Sequence, residues 1–259
     1  MKKIVVLGSG NVAGHLCKWI ISSGNLLCGI YSRNKIKGKS IADKNNIEYY
    51  CSIDEIPKAD IYIISVSDNA IKEISEKIIA KDSIVVHTSG GCGINELSPA
   101  IENRGVIYPL QTFTSGRELD YNRIPLFIEA SNQDSYNSVK VLASDMSNQV
   151  FDSDSEKKRK LHISAVFACN FVNHLYSIGS SIIKEMDIPP QIIAPLVEET
   201  VNKMVAADNP FMTQTGPAVR EDYNTIEKHL EALADTDYPR KIYELLTDSI
   251  INYKLNGKL

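Results

Sequence analysis

Lys3-Ile4-Val5-Val6-Leu7-Gly8-Ser9-Gly10-Asn11-Val12-Ala13-Gly14 is the stretch that decides the fold. Ile4–Leu7 is an unbroken apolar run, too short for a helix and without alternation. It reads as a strand covered on both faces, as in a parallel sheet. Val12–Ile21 carries a helical pattern. Between them lies Gly8-x-Gly10-x-x-Ala13, and each position has a physical task. Gly8 permits the tight turn, Gly10 lets a pyrophosphate approach the backbone, and Ala13 lets the helix pack closely on the sheet. The helix N-terminus offers free N–H groups and partial positive charge to phosphates. Gly8, Ser9, Gly10, Asn11 and Val12 are therefore expected to line a dinucleotide. The alternative is a glycine-rich turn without ligand, and the position between a strand and a helix argues against it.

Outward from this turn, short apolar runs alternate with helical patterns. Leu26–Tyr31, Glu48–Cys51, Ile61–Ser65 and Ser83–His87 read as strands. Helices are expected at Asn34–Lys44 and Ala70–Ile79. Val106–Tyr108, Leu126–Glu129 and Gln149–Phe151 extend the sheet, with a helix at Tyr136–Asp145. Strict alternation implies right-handed crossovers and a doubly wound, mostly parallel Rossmann sheet of the α/β class. No strand signal follows Asp152. Ser153-x-x-Glu156 reads as a capping box opening a helix that runs to about Met186. More helices are expected at Gln191–Ala207, Tyr223–Leu233 and Pro239–Tyr253. The expected organisation is a dinucleotide-binding domain over residues 1–152 and a smaller all-helical domain over 153–259.

Ser32-Arg33 follows the second strand, where an NAD-binding domain carries an Asp or Glu for the ribose 2′-OH. No carboxylate stands here. Arg33 offers a planar fork of donors suited to a 2′-phosphate, with Lys35 and Lys37 close behind. NADP is therefore expected in preference to NAD. Two further strand ends, Ser65-Val66-Ser67 and Thr88-Ser89, are small and polar enough for a cofactor to lie along them. Asp68 also suits a helix cap. His87 shapes its loop and is not expected to titrate. Gln111 and Thr112 are placed on the nicotinamide side.

The long helix carries His162, Cys169, Asn170, Asn173, His174, Ser177 and Ser180, with no Lys or Glu between Leu161 and Ile183. At about 100° per residue, His162, Cys169, Asn173, Ser177 and Ser180 share one face, with Asn170 at its edge. Such a face suits a cleft lining. The alternative is His and Asn hydrogen-bonded inside a dimer core. His162 is the first choice for proton donor, because its ordinary pKa lies near working pH. Asn170, Asn173 and Arg220 are candidates for orienting the substrate. Arg220, in Gly216-Pro217-x-x-Arg220-x-Asp222, could instead pair with Asp222 on the surface. Lys157-Lys158-Arg159-Lys160 reads as a solvated face.

Composition narrows the partners. Of 259 residues, 43% are hydrophobic and 23% charged, enough for a sizeable core, and the net charge is −4. A mildly acidic chain without a clustered positive field argues against nucleic acid. No run approaches the ~18 apolar residues of a membrane span. The cysteines Cys17, Cys28, Cys51, Cys92 and Cys169 are odd in number and form no Cys-x-x-Cys pair, so neither a metal site nor a disulfide framework is expected. A cytoplasmic location is expected. The expected partners are a small-molecule substrate and a second copy, joined through the helical domain.

Taken together, the glycine fingerprint, Ser32-Arg33, His87-Thr88-Ser89-Gly90, Pro109-Leu110-Gln111-Thr112-Phe113, His162-x-x-Ala165-Val166-Phe167-x-x-Asn170-Phe171 and Thr215-Gly216-Pro217-x-x-Arg220-x-Asp222 carry a resemblance. The set resembles bacterial NADP oxidoreductases with a Rossmann-like N-terminal domain and a helical C-terminal domain. It is similar more broadly to deazaflavin-dependent NADP oxidoreductases, pyrroline-5-carboxylate reductase, ketopantoate reductase and β-hydroxyacid dehydrogenases. The resemblance implies hydride transfer between NADP(H) and a small carbonyl or imine compound. β-Hydroxyacid dehydrogenases place a Lys-x-x-x-Asn pair on the corresponding helix. Here Val166 precedes Asn170 and Cys169 precedes Asn173, so that lysine is missing. An NADP-binding sensor or scaffold without turnover is therefore a second expectation. A methyltransferase using S-adenosylmethionine is disfavoured, since it would want an acid where Ser32-Arg33 stands.

Overall fold

The computed structural model describes residues 1–79 and 81–257. The chain forms two compact units, the first spanning Met1–Phe171 and the second beginning at Val172. Sheet structure ends at Asp152, but the packed boundary falls later, inside the long helical stretch.

In the first unit the elements run β1 (Lys3–Leu7), α1 (Asn11–Ser22), β2 (Leu26–Tyr31), α2 (Lys35–Asn45), β3 (Tyr49–Tyr50), β4 (Ile61–Ile64), α3 (Ile71–Glu76), β5 (Ile84–His87), β6 (Arg104–Pro109), β7 (Leu126–Ala130), α4 (Gln133–Met146), β8 (Val150–Asp152) and α5 (Ser155–Ala165). One eight-stranded sheet has the order β3-β2-β1-β4-β5-β6-β7-β8. All pairings are parallel except β6 with β7. The winding reverses between β1 and β4, the crevice in which an open α/β sheet binds its ligand.

Alternation along the strands explains the unbroken apolar runs. Ile4 and Val6 face one way and pack with Ala13, Leu16, Trp19 and Ile20 of α1 and Val139, Leu142 and Met146 of α4. Val5 and Leu7 face the other way, with Ile71 and Ile74 of α3, Leu97 and Ile101. Both faces are thus covered, and neither can expose a polar row. Trp19 also donates its indole N–H to the Met146 carbonyl, tying α1 to α4.

Several expectations shift in detail. The strand at Glu48–Cys51 shrinks to a two-residue pairing, and the helix at Ala70–Ile79 to six residues behind a single 3₁₀ turn. The Ser153-x-x-Glu156 capping box does not form. Asp154, one residue on, is the cap, its carboxylate accepting the Lys157 N–H at 2.7 Å. The expected long helix is interrupted: α5 passes into a π-helical turn over Val166–Phe171.

Among its described residues the regular elements of the second unit are all helical, with α6 (Val172–Lys184), α7 (Ala194–Ala206), α8 (Pro217–Arg220), α9 (Tyr223–Ala232) and α10 (Asp237–Asn256) joined by turns and short 3₁₀ segments. Helices α8, α9 and α10 pack together. None of the described helices is long and apolar enough to cross a membrane.

Candidate active site

A cavity of about 1130 Å³ opens at the carboxyl ends of β1, β2, β4, β5 and β6, and all its lining residues belong to the first unit. Gly8, Ser9, Gly10, Asn11 and Val12 form its floor. Gly8 has φ +135°, and a Cβ there would run into the Ser65 carbonyl, so only glycine lets β1 and β4 lie this close. A Cβ on Gly10 would meet nothing within 4 Å. Gly10 is the N-cap of α1, and no side chain caps that helix. The first amides of α1 are therefore left for an anion. These features fit a pyrophosphate.

Ser32 and Arg33 form the wall after β2. Ser32 is buried, its hydroxyl 2.6 Å from that of Ser9 and accepting the Asn34 N–H at 3.0 Å. Arg33 is exposed, and no carboxylate among the described residues pairs with it. Ser65, Val66 and Ser67 after β4, and Thr88 and Ser89 after β5, line the next two walls.

The loop after β6 closes another side with Gln111, Thr112 and Phe113. It is strapped to α1. The Asn11 side-chain amide donates to the Phe113 carbonyl at 3.0 Å. His15 Nε2–H donates to the Thr114 carbonyl at 2.9 Å, which leaves Nδ1 to accept from the Tyr121 hydroxyl at 3.0 Å.

Tyr108, His162, Ala165, Cys169 and Asn170 complete the lining. Tyr108 escaped the sequence reading. It closes the strand expected at Val106–Tyr108, and its only signal is its place beside Pro109-Leu110-Gln111. The π turn also corrects the helical face. A uniform helix would put Asn170 at the edge, whereas the wider turn brings both Cys169 and Asn170 to the cavity. Asn173 and Arg220 lie in the second unit, outside the wall that the first unit forms.

Behind this wall, Lys158 corrects the reading of Lys157–Lys160 as a solvated face. Its side chain is only 1% exposed and lies 3.3 Å from Glu129, itself largely buried. Burial pushes the Lys158 pKa down, and the Glu129 carboxylate pulls it back up. Ser155 donates to the same carboxylate at 2.9 Å and accepts the Ile94 N–H. These bonds seat the start of α5 on β7 and on the loop after β5. Within that loop His87 has its Nδ1 accepting from the Ser89 N–H and its Nε2–H donating to the Gly93 carbonyl. Full burial, with Lys158 nearby, lowers its pKa to about 4. His87 therefore stays neutral and shapes the loop.

A doubly wound sheet with an uncapped, glycine-lined helix end at its switch point defines a Rossmann-type nucleotide-binding protein. The comparisons carry this further. Residues 3–91 match the family described as NADP oxidoreductase coenzyme F420-dependent, and residues 124–250 match a domain of unknown function (DUF2520). A crystal structure of a putative NADP oxidoreductase from Bacteroides fragilis is 38% identical, with TM-score 0.92 over 97% of this chain and 98% of that one. The chain belongs to this family of nicotinamide-dinucleotide oxidoreductases. A Thermotoga maritima protein has TM-score 0.72 at 19% identity, over 98% of this chain and 99% of that one. A 1-pyrroline-5-carboxylate reductase from Streptococcus pyogenes has TM-score 0.62 at 14% identity, over 97% and 98%. These two share the fold. No curated protein matches the chain.

Proposed function

We propose that this chain is an NADP-dependent oxidoreductase moving a hydride between NADP(H) and a small carbonyl or imine compound. One observation carries the cofactor choice. Arg33 stands exposed, with no ion-pair partner among the described residues, beside buried Ser32, where an NAD domain would hold a carboxylate. The pyrophosphate would rest on the amides of Ser9 to Val12 and the 2′-phosphate on Ser32 and Arg33. Ser65–Ser67, Thr88 and Ser89 would lie along the rest. When bound, NADPH supplies the hydride. His162 supplies the proton, and Asn170 orients the substrate beside it. Arg33→Asp is expected to weaken NADPH at least tenfold, roughly the worth of a charge-assisted hydrogen bond, and NADH little. Fluorescence titration of both nucleotides measures this, and equal losses would remove the 2′-phosphate assignment.

A nucleotide sensor without turnover is the second reading. It is favoured by the absence of lysine from the cavity lining among the described residues. Tight NADPH binding with no oxidation across a carbonyl and imine panel would select it.

The second unit is proposed to pair with a second copy. Leu196, Val205, Leu245 and Leu255 are each more than 60% exposed on its helices α7 and α10, apolar side chains that a second copy could cover. Sedimentation is expected to give twice the chain mass, and Leu245→Lys to shift it toward one copy.

A further inference from the structure

The Tyr108 hydroxyl and His162 Nδ1 lie 3.3 Å apart, their rings edge to face with centroids 6.0 Å apart. Both are held in place. Tyr108 is buried with Val106 and Phe127, and Ile94, Leu110 and Leu161 pack around this cluster. A Cβ on Gly90 would lie 2.6 Å from the tyrosine ring and 2.9 Å from His162 Nδ1, so the glycine reserves the space in which the two meet.

The two imidazole nitrogens differ. Nδ1 has the tyrosine oxygen. Nε2 has no hydrogen-bond partner among the described residues, and its ring lines the cavity. Once His162 is protonated both nitrogens carry hydrogen, and the tyrosine oxygen is the acceptor within reach of Nδ1. Burial raises the Tyr108 pKa, so the phenol stays neutral and its oxygen is available. The other ionisable groups near this end of the cavity are Asp68 beside Gly91, Cys169 on the π turn, and Lys158 one turn back, tied to Glu129.

We propose that Tyr108 is a positioning residue: its oxygen receives the Nδ1–H of protonated His162 and holds the ring so that Nε2–H is the proton delivered to the substrate. In the reductive direction the proton leaves Nε2 for the oxygen or nitrogen of the reduced double bond. Its electron pair stays on Nε2, and water re-protonates the ring between turnovers. This assignment rests on the reading of the cavity as a hydride-transfer site.

The test needs no substrate. In protein labelled with ¹⁵N-histidine, the ring nitrogens of His162 are observed by long-range ¹H–¹⁵N NMR, with assignment from His162→Gln. Tyr108→Phe removes the acceptor and is expected to shift the Nδ1 signal of the protonated ring while leaving Nε2 in place. Gly90→Ala, which forces the two rings apart without changing either, is expected to move the same Nδ1 signal. An unmoved Nδ1 signal in both variants would overturn the proposal. NADPH titration of the same samples separates the two levels. Failure of the wild type to take up NADPH removes the site reading itself, whereas normal uptake with an unmoved Nδ1 signal removes only the role of Tyr108.

Discussion

The two units of this chain bury their apolar residues very differently. In the first, whole strands such as Ile4–Leu7 and Ile61–Ile64 are inaccessible, and helices cover both faces of the sheet. In the second, Ala218 and Ile226 are the buried apolar residues among those described, while Leu245 is 70% and Val205 81% exposed. A sheet core closes on itself within one chain. In the second unit, by contrast, apolar side chains of α7 and α10 stay exposed within the single chain. The first unit therefore carries a closed core beneath its cavity walls, and the exposed apolar side chains of the second unit motivate the proposed pairing with a second copy.

Breaking the first unit is expected to have the largest effect. Trp19 fills the space between α1 and α4, so Trp19→Ala is expected to cost about 3–5 kcal/mol in denaturant unfolding. A cost below 1 kcal/mol would show that the first unit is not the stable half. His87 comes next. Its folded pKa of about 4 lies below the ordinary 6.5. Above pH 6.5 the group is neutral in both states and adds no pH dependence to stability. As pH falls from 6.5 to 4 the unfolded chain takes up the proton and the folded one does not. Stability is lost across that window, by about 3 kcal/mol. His87→Asn is expected to flatten this part of the pH–stability curve, and an unchanged slope would mean that His87 titrates freely. The smallest expected effect on stability is that of Leu245→Lys. It should leave the unfolding of the first unit unchanged while altering the sedimenting mass, and a large stability loss would blur the contrast between the units.

What could be read from the sequence divides differently, between local patterns and distant partners, and both kinds lie in the first unit. The Ile/Val runs and the glycine fingerprint are local patterns, and they place the sheet, the switch point and the cavity floor. Features that depend on distant partners stayed hidden. Lys158 looks solvated in a run of basic residues, because Glu129, its partner, is far away in sequence. Tyr108 looks like core until His162 is brought against it. The π turn over Val166–Phe171 is invisible to a uniform period of about 100° per residue, because the turn breaks that period.

Calorimetric titration of the wild-type protein with NADPH and with NADH tests the central claim most directly. The account predicts that one NADPH binds per chain, at least tenfold more tightly than NADH. Uptake of neither nucleotide by the folded protein, or a preference for NADH, would contradict it.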